Sequence, residues 1–235
     1  MAKFLFLHLP KTAGTSLRHA LQEAYGTEAV SPHVNACFLQ NKDLELLNRF
    51  TFICGHLSFS DAHRLFPDAA IMTVVRNPIE RCLSWYWYAR SASIERIDDA
   101  EFLDVQAAKC YEPETFFSLP SAVVFHNIHN RMTRQLGGHA CDRHINLEAA
   151  FKQAQITLKQ CIWIGRQDQL DHDLQRLSRL FPKLSNQAMP RINITTSRSA
   201  ASTLNKATME KIQTHNYFDH SLYEQAWALS AAAAG

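Results

Sequence analysis

Apolar residues in this chain fall into short runs and helical stripes that alternate along its length. Residues 4–9 form an apolar run broken only by His8, and Pro10 to Gly14 then supply a tight loop. From about Thr15 onward, Leu17, Ala20, Leu21 and Ala24 recur at i, i+3, i+4 and i+7, the spacing of one helix face. Residues 51–54 and 69–75 are two more strand-like runs, the first ending at Gly55-His56 and the second at Arg76. Asn77-Pro78 is an N-cap residue followed by proline at the first helical position, which predicts a helix to about Ser91. Residues 161–164 predict a fourth strand, ending at Gly165. Leu170, Leu174, Leu177 and Leu180 mark a helix that stops near Pro182.

Strands alternating with helices predict an α/β fold, a mostly parallel sheet flanked by helices. Ligands of such sheets bind beyond the carboxyl ends of the strands, where the polar residues of interest here fall. Residues 93–146 have weaker periodicity and read as a helical insertion capping the site. At 235 residues, one domain spanning 1–235 is expected.

Hydrophobic residues make up 46% of the chain and charged residues 20%, a globular composition. The net charge of +2 argues against a surface that coats nucleic acid but permits a local basic pocket. No stretch is apolar enough to span a bilayer. Met1-Ala2-Lys3 runs directly into the first apolar run, with a phosphate-loop candidate close behind, so a cytoplasmic protein without a signal peptide is expected. Six scattered cysteines form no C-x-x-C pair; Cys54 and Cys161 are expected in core strands as reduced, structural residues.

The segment His8-Leu9-Pro10-Lys11-Thr12-Ala13-Gly14-Thr15-Ser16-Leu17 joins a strand to a helix. Gly14 allows a tight turn, and the helix start offers N–H groups and a positive dipole end to an anion. Thr12, Thr15 and Ser16 add hydroxyls and Lys11 a full charge, completing a phosphate cradle. The Walker order is absent, and no predicted strand ends in an aspartate that could hold magnesium, which counts against a phosphate-loop kinase. A non-catalytic nucleotide-binding module would need only the cradle, whereas Lys11 and His56 together argue for chemistry.

This loop resembles the 5′-phosphosulfate loop of the sulfotransferases that use 3′-phosphoadenosine 5′-phosphosulfate (PAPS), closest to the heparan sulfate 2-O-sulfotransferase-like branch and its bacterial relatives. Arg76-Asn77-Pro78-Ile79-Glu80-Arg81-Cys82-Leu83-Ser84 resembles that family's 3′-phosphate motif, an arginine at a strand end with a serine on the next helix. Gly55-His56, the run from Asn130 to Leu136, Gly165-Arg166-Gln167-Asp168 and Asp219 to Glu224 are weaker likenesses. The resemblance implies a P-loop-NTPase-like sulfotransferase fold with a helical acceptor-side insertion.

In that family frame, Lys11, Thr12, Ala13, Gly14, Thr15 and Ser16 hold the 5′-phosphosulfate. Arg76 and Ser84, with Arg198 from a late loop, hold the 3′-phosphate. Lys11 neutralises the departing diphosphate bridge and His56 is the general base. The expected donor is PAPS and the product 3′,5′-adenosine bisphosphate, with no metal; the acceptor is a hydroxyl compound, with a saccharide as one candidate. Arg81 is expected to be a solvated charge, and His8 to be packed in the first strand. Most of Trp85-Tyr86-Trp87-Tyr88 is expected in the core. Lys109, Arg131, Arg134 and Arg143 are basic candidates for acceptor contact. His139, Cys141 and His144 offer too few ligands for a convincing zinc site.

Overall fold

The computed structural model describes residues 3–35, 45–93, 103–139, 142, 144–185, 190 and 204–232. Five parallel strands form one sheet in the order β2-β3-β1-β4-β5. They are β1 (Phe4–Leu7), β2 (Val30–Asn35), β3 (Phe52–His56), β4 (Ala70–Val75) and β5 (Trp163–Arg166). The expected α/β sheet flanked by helices is present.

Both faces of the sheet are covered, and the period of two in β1 divides its side chains between them. Leu5 and Leu7 point into one layer with Ile53, Val75 and Ile164. That layer is roofed by α6 (Arg131–Leu136), α7 (Leu147–Gln160) and α10 (Tyr217–Ala232), through Met132, Leu136, Ala154, Leu158, Leu222 and Ala226. Phe6 points the other way, into a layer with Phe52, Met72, Val74 and Trp163. Leu17 and Leu21 of α1 (Gly14–Tyr25), with Leu174 and Leu177 of α8 (Leu170–Leu180), cover this face.

A third cluster lies away from the sheet. It joins α3 (Pro78–Ser91) to α4 (Leu103–Cys110), α5 (Pro113–Ser118) and α9 (Lys206–His215). Trp85, Tyr86, Phe116, Phe117 and Ile212 are its largest members. Tyr86 satisfies its hydroxyl on the Tyr111 carbonyl at 2.8 Å. Two helices of the 93–146 segment, α4 and α5, are thus packed on α3, whereas α6 lies on the sheet.

Several boundaries depart from the sequence reading. The strand predicted at 161–164 begins later, because α7 runs to Gln160 and Cys161 is its C-cap residue. Cys161 is therefore a helix-end residue, whereas Cys54 does lie in a core strand. The edge strand β2 went unpredicted: it carries Pro32, which can be tolerated only where a ladder bond is absent, and its register with β3 shifts between Val30 and His33. Helix α7 was also missed, since its buried stripe relies on Ala150, Ala154 and Thr157. Asn77 and Pro78 start α3 as expected: Asn77 Oδ1 accepts from the Ile79 and Glu80 N–H groups.

Candidate active site

The site residues gather at the carboxyl edge of the sheet, where β1, β3 and β4 end. After Leu7 the chain turns into α1 through a loop with two left-handed, non-glycine residues, Lys11 (φ 68°) and Ala13 (φ 69°). Each such residue costs roughly 1–2 kcal/mol, and strain of this kind persists only where surrounding bonds impose it. Thr12 Oγ1 donates to Leu9 O at 2.8 Å, Thr73 Oγ1 donates to Leu7 O at 2.8 Å, and Arg76 Nη1 donates to Lys11 O at 2.9 Å.

The consequence is an open helix terminus. Ala13 is the N-cap of α1, so no side chain caps the helix, and its first turn carries no acidic residue. Leading N–H groups and a positive dipole end of this kind favour an anion. Lys11 stands beside them, its Nζ 4.2 Å from the centre of the Tyr88 ring.

Two loop residues act differently from their sequence reading. The turn is made by Lys11 and Ala13, while Gly14 is already helical. A Cβ at position 14 would overlap the His8 ring, so glycine is required there for close approach of that histidine. Thr12 is fully buried and its hydroxyl is committed to Leu9 O, so the side chain braces the loop.

His56 ends β3 next to His8, in the order that the parallel pairing of β1 with β3 dictates. Its Nδ1 lies 2.7 Å from the His8 carbonyl oxygen. A carbonyl only accepts, so Nδ1 carries the proton and the ring's lone pair sits on Nε2. Gln135 Nε2 donates to the same carbonyl at 3.1 Å and to Leu57 O at 3.0 Å, tying α6 to this edge. His8 is buried, and its pKa is held well below the usual range, first by desolvation and then by His56, His33, Arg18 and Lys11. His8 Nδ1 and His33 Nε2 are 3.0 Å apart, although His33 belongs to the unpredicted edge strand. No sequence motif marks His33; only the neighbourhood of β2 and β3 brings it in.

Arg76 leaves β4 buried, with Glu80 one turn along α3 at 3.6 Å. Ser84 is buried on the same helix. Arg81, expected in solvent, is fully buried: its Nη1 and Nη2 donate to Asn127 O at 2.8 Å and Ile128 O at 3.1 Å. Arg134 is likewise buried, donating to the carbonyls of Phe125, His126 and His129. Lys109 donates to Arg90 O at 3.2 Å and to Ala92 O. Lys109 and Arg134 are therefore structural braces rather than acceptor contacts, and Arg131 shares that carbonyl-rich surrounding through His126 O.

The weaker motifs serve the frame. Asp219 accepts from the Met132 and Thr133 N–H groups at 3.0 and 2.7 Å, placing a carboxylate at the N-terminus of α6. Arg166 pairs with Asp173 at 2.8 Å and lies over the Trp227 ring. Trp85 and Tyr86 are core, as expected for most of the aromatic run. Arg198, Cys141 and Arg143 lie outside the described residues; His139 Nδ1 meets Asp142 at 3.1 Å. Among the described residues, no helix is long and apolar enough to cross a membrane.

No curated protein matches this sequence. The family described as the sulfotransferase family matches residues 2–225, nearly the whole chain and every motif above. That match covers the strained loop at the end of the first strand and the arginine after β4 that braces it, and the chain belongs to the sulfotransferase family.

Proposed function

We propose that the protein transfers a sulfuryl group from PAPS to a hydroxyl of a carbohydrate or small-molecule acceptor. The observation that carries this reading is the bond from Arg76 Nη1 to Lys11 O, which joins the two phosphate motifs into one structure. A donor with anionic groups at both 5′ and 3′ positions fits residues of that kind. The uncapped α1 terminus and Lys11 suit the 5′-phosphosulfate; Arg76 and Ser84, with Arg198 from the late loop, suit the 3′-phosphate. Arginine can bind such a group bidentately.

Each residue then has a separable task. The N–H groups of Gly14, Thr15 and Ser16 hold the phosphosulfate in a fixed position, which provides much of the rate advantage. Lys11 neutralises charge on the bridging oxygen as the S–O bond breaks, and needs no metal to do so. His56 accepts the acceptor hydroxyl's proton at Nε2, its ring oriented by the Nδ1 bond to His8 O. The helical segment within 93–146 borders the acceptor side.

The test is a thermal-shift comparison of nucleotides. Saturating 3′,5′-adenosine bisphosphate is expected to raise the melting temperature more than AMP or ATP does, because only it engages both anion sites. Equal shifts from AMP would remove the 3′-phosphate site from this account.

A further inference from the structure

His8, His33 and His56 come from the ends or edges of three neighbouring strands, β1, β2 and β3. One nitrogen of each ring lies within 4.8 Å of one nitrogen of each of the others; among the described residues this is the sole group of three metal-ligating side chains so arranged. The ring centres are 5.2 Å apart for His8 and His33, 4.6 Å for His8 and His56, and 4.4 Å for His33 and His56. No carboxylate or cysteine joins them in that group.

We propose that these three imidazoles form a binding site for a borderline divalent transition ion such as Zn²⁺ or Co²⁺, and that the ion inhibits transfer. Imidazole is a preferred ligand of such ions, and three histidines with an open fourth position are a known catalytic-type coordination set. Nitrogens bound at about 2.0–2.1 Å around a tetrahedral ion stand roughly 3.3 Å from one another. His8 Nδ1 and His33 Nε2, 3.0 Å apart, share a hydrogen bond, so binding displaces the proton between them and turns both rings until their lone pairs converge on the ion. The bond of His56 Nδ1 to a backbone carbonyl is the outer bond that ligating histidines ordinarily make, and it directs the Nε2 lone pair to the ion. The three positions also grade outward: His8 is buried, His56 half-buried and His33 exposed. An ion from solvent therefore meets His33 first, which gives the site its entry path.

Two features bring this set together. Gly55 lets β2 approach β3, since a Cβ there would overlap the Val34 carbonyl. The register shift between Val30 and His33 turns the β2 edge, so that Asn35 comes to pair with His56. An ion held here takes up the Nε2 lone pair that His56 needs as a base. The inhibition rests on that reading of His56; the binding of the ion does not.

Chelator-treated full-length protein, titrated with Co²⁺ and followed by visible absorption, tests the binding. One equivalent should give the intense bands of tetrahedral cobalt, abolished by Zn²⁺. His33→Ala changes an exposed edge-strand residue. It should weaken Co²⁺ binding roughly tenfold or more, with the metal-free protein still folded and its melting temperature lowered only by the loss of the bond to His8. Weak, non-saturating absorption, or a His33→Ala protein that titrates like wild type, would overturn the site and assign any binding to histidines elsewhere, such as His139 and His144. If one equivalent binds through His33 yet the transfer rate is unaffected, the metal site stands and His56 is not the base.

Discussion

The phosphate-loop edge of the sheet and the helical region over α3 each bury an arginine, and they use it in opposite ways. Arg81 is enclosed on all sides and gives its guanidinium to two carbonyls of the 127–128 turn. Arg76, a short way back in the chain and also buried, gives one nitrogen to the Lys11 carbonyl and faces the partly exposed Glu80 across a longer gap. The first arrangement consumes a cation to stabilise irregular backbone. The second holds a cation against the strained loop that we propose binds the nucleotide. Burial alone does not separate the two; the chemistry of the partners does.

The largest expected effect tests the edge of the sheet. His56→Ala should lower turnover roughly 10²–10⁴-fold, with the melting shift from 3′,5′-adenosine bisphosphate retained. His56→Gln keeps hydrogen bonding but not basicity and should fall nearly as far. Turnover measured with donor saturating decides the matter, and near-wild-type turnover in either variant would remove His56 from the chemistry.

Next comes the arginine pair itself. Arg81→Ala should cost roughly 2–4 kcal/mol of stability, because two buried carbonyls lose charged donors. Arg76→Ala should instead weaken nucleotide binding by roughly 1.5–3 kcal/mol, with a smaller loss of stability. Urea unfolding and nucleotide titration of the two variants check the contrast, and reversed outcomes would dissolve it.

Gly14→Ala sharpens the description of the loop. An added Cβ meets the His8 ring, so the variant should lose roughly 1–3 kcal/mol and bind nucleotide less tightly, through displacement of His8. A variant as stable as wild type would show that this contact is easily relieved.

The smallest effect concerns pH and the helical region. Burial pushes the His129 pKa down to about 4, and those of His215 and His220 below the usual range. These rings are neutral in the folded protein, while the unfolded chain protonates them near pH 6.5. The unfolded state therefore binds more protons between those values. Stability is fully present above about pH 6.5 and falls as the pH drops toward 4. The melting temperature should drop by several degrees across that window, at roughly 2–4 °C per kcal/mol for a chain of this size. A flat profile from pH 7 to 4 would contradict the burial of these histidines.

Much of this was legible without coordinates. Strongly apolar runs marked four of the five strands to within a few residues, and Asn77-Pro78 placed the start of α3. Lys11 to Ser16 and Arg76 stood out as candidate anion ligands because charge and hydroxyls sit directly after apolar runs. Two of the unread parts share a cause. β2 is an edge strand with a proline and a register shift, and α7 buries small side chains, so neither shows the periodicity that burial of large residues imposes.

The order of apolar and polar residues by itself determined the alternating α/β architecture, the strand-to-helix loop at residues 11–16 and the family, since those depend on local patterns. Tertiary structure alone decided which charges are braces and which are ligands. It buried Arg81 and Arg134 among carbonyls, made Lys11 and Ala13 rather than Gly14 the turn residues, and set His33 beside His8. Those outcomes depend on which backbone groups from distant segments lie within about 3 Å of a side chain, a fact that local sequence does not encode.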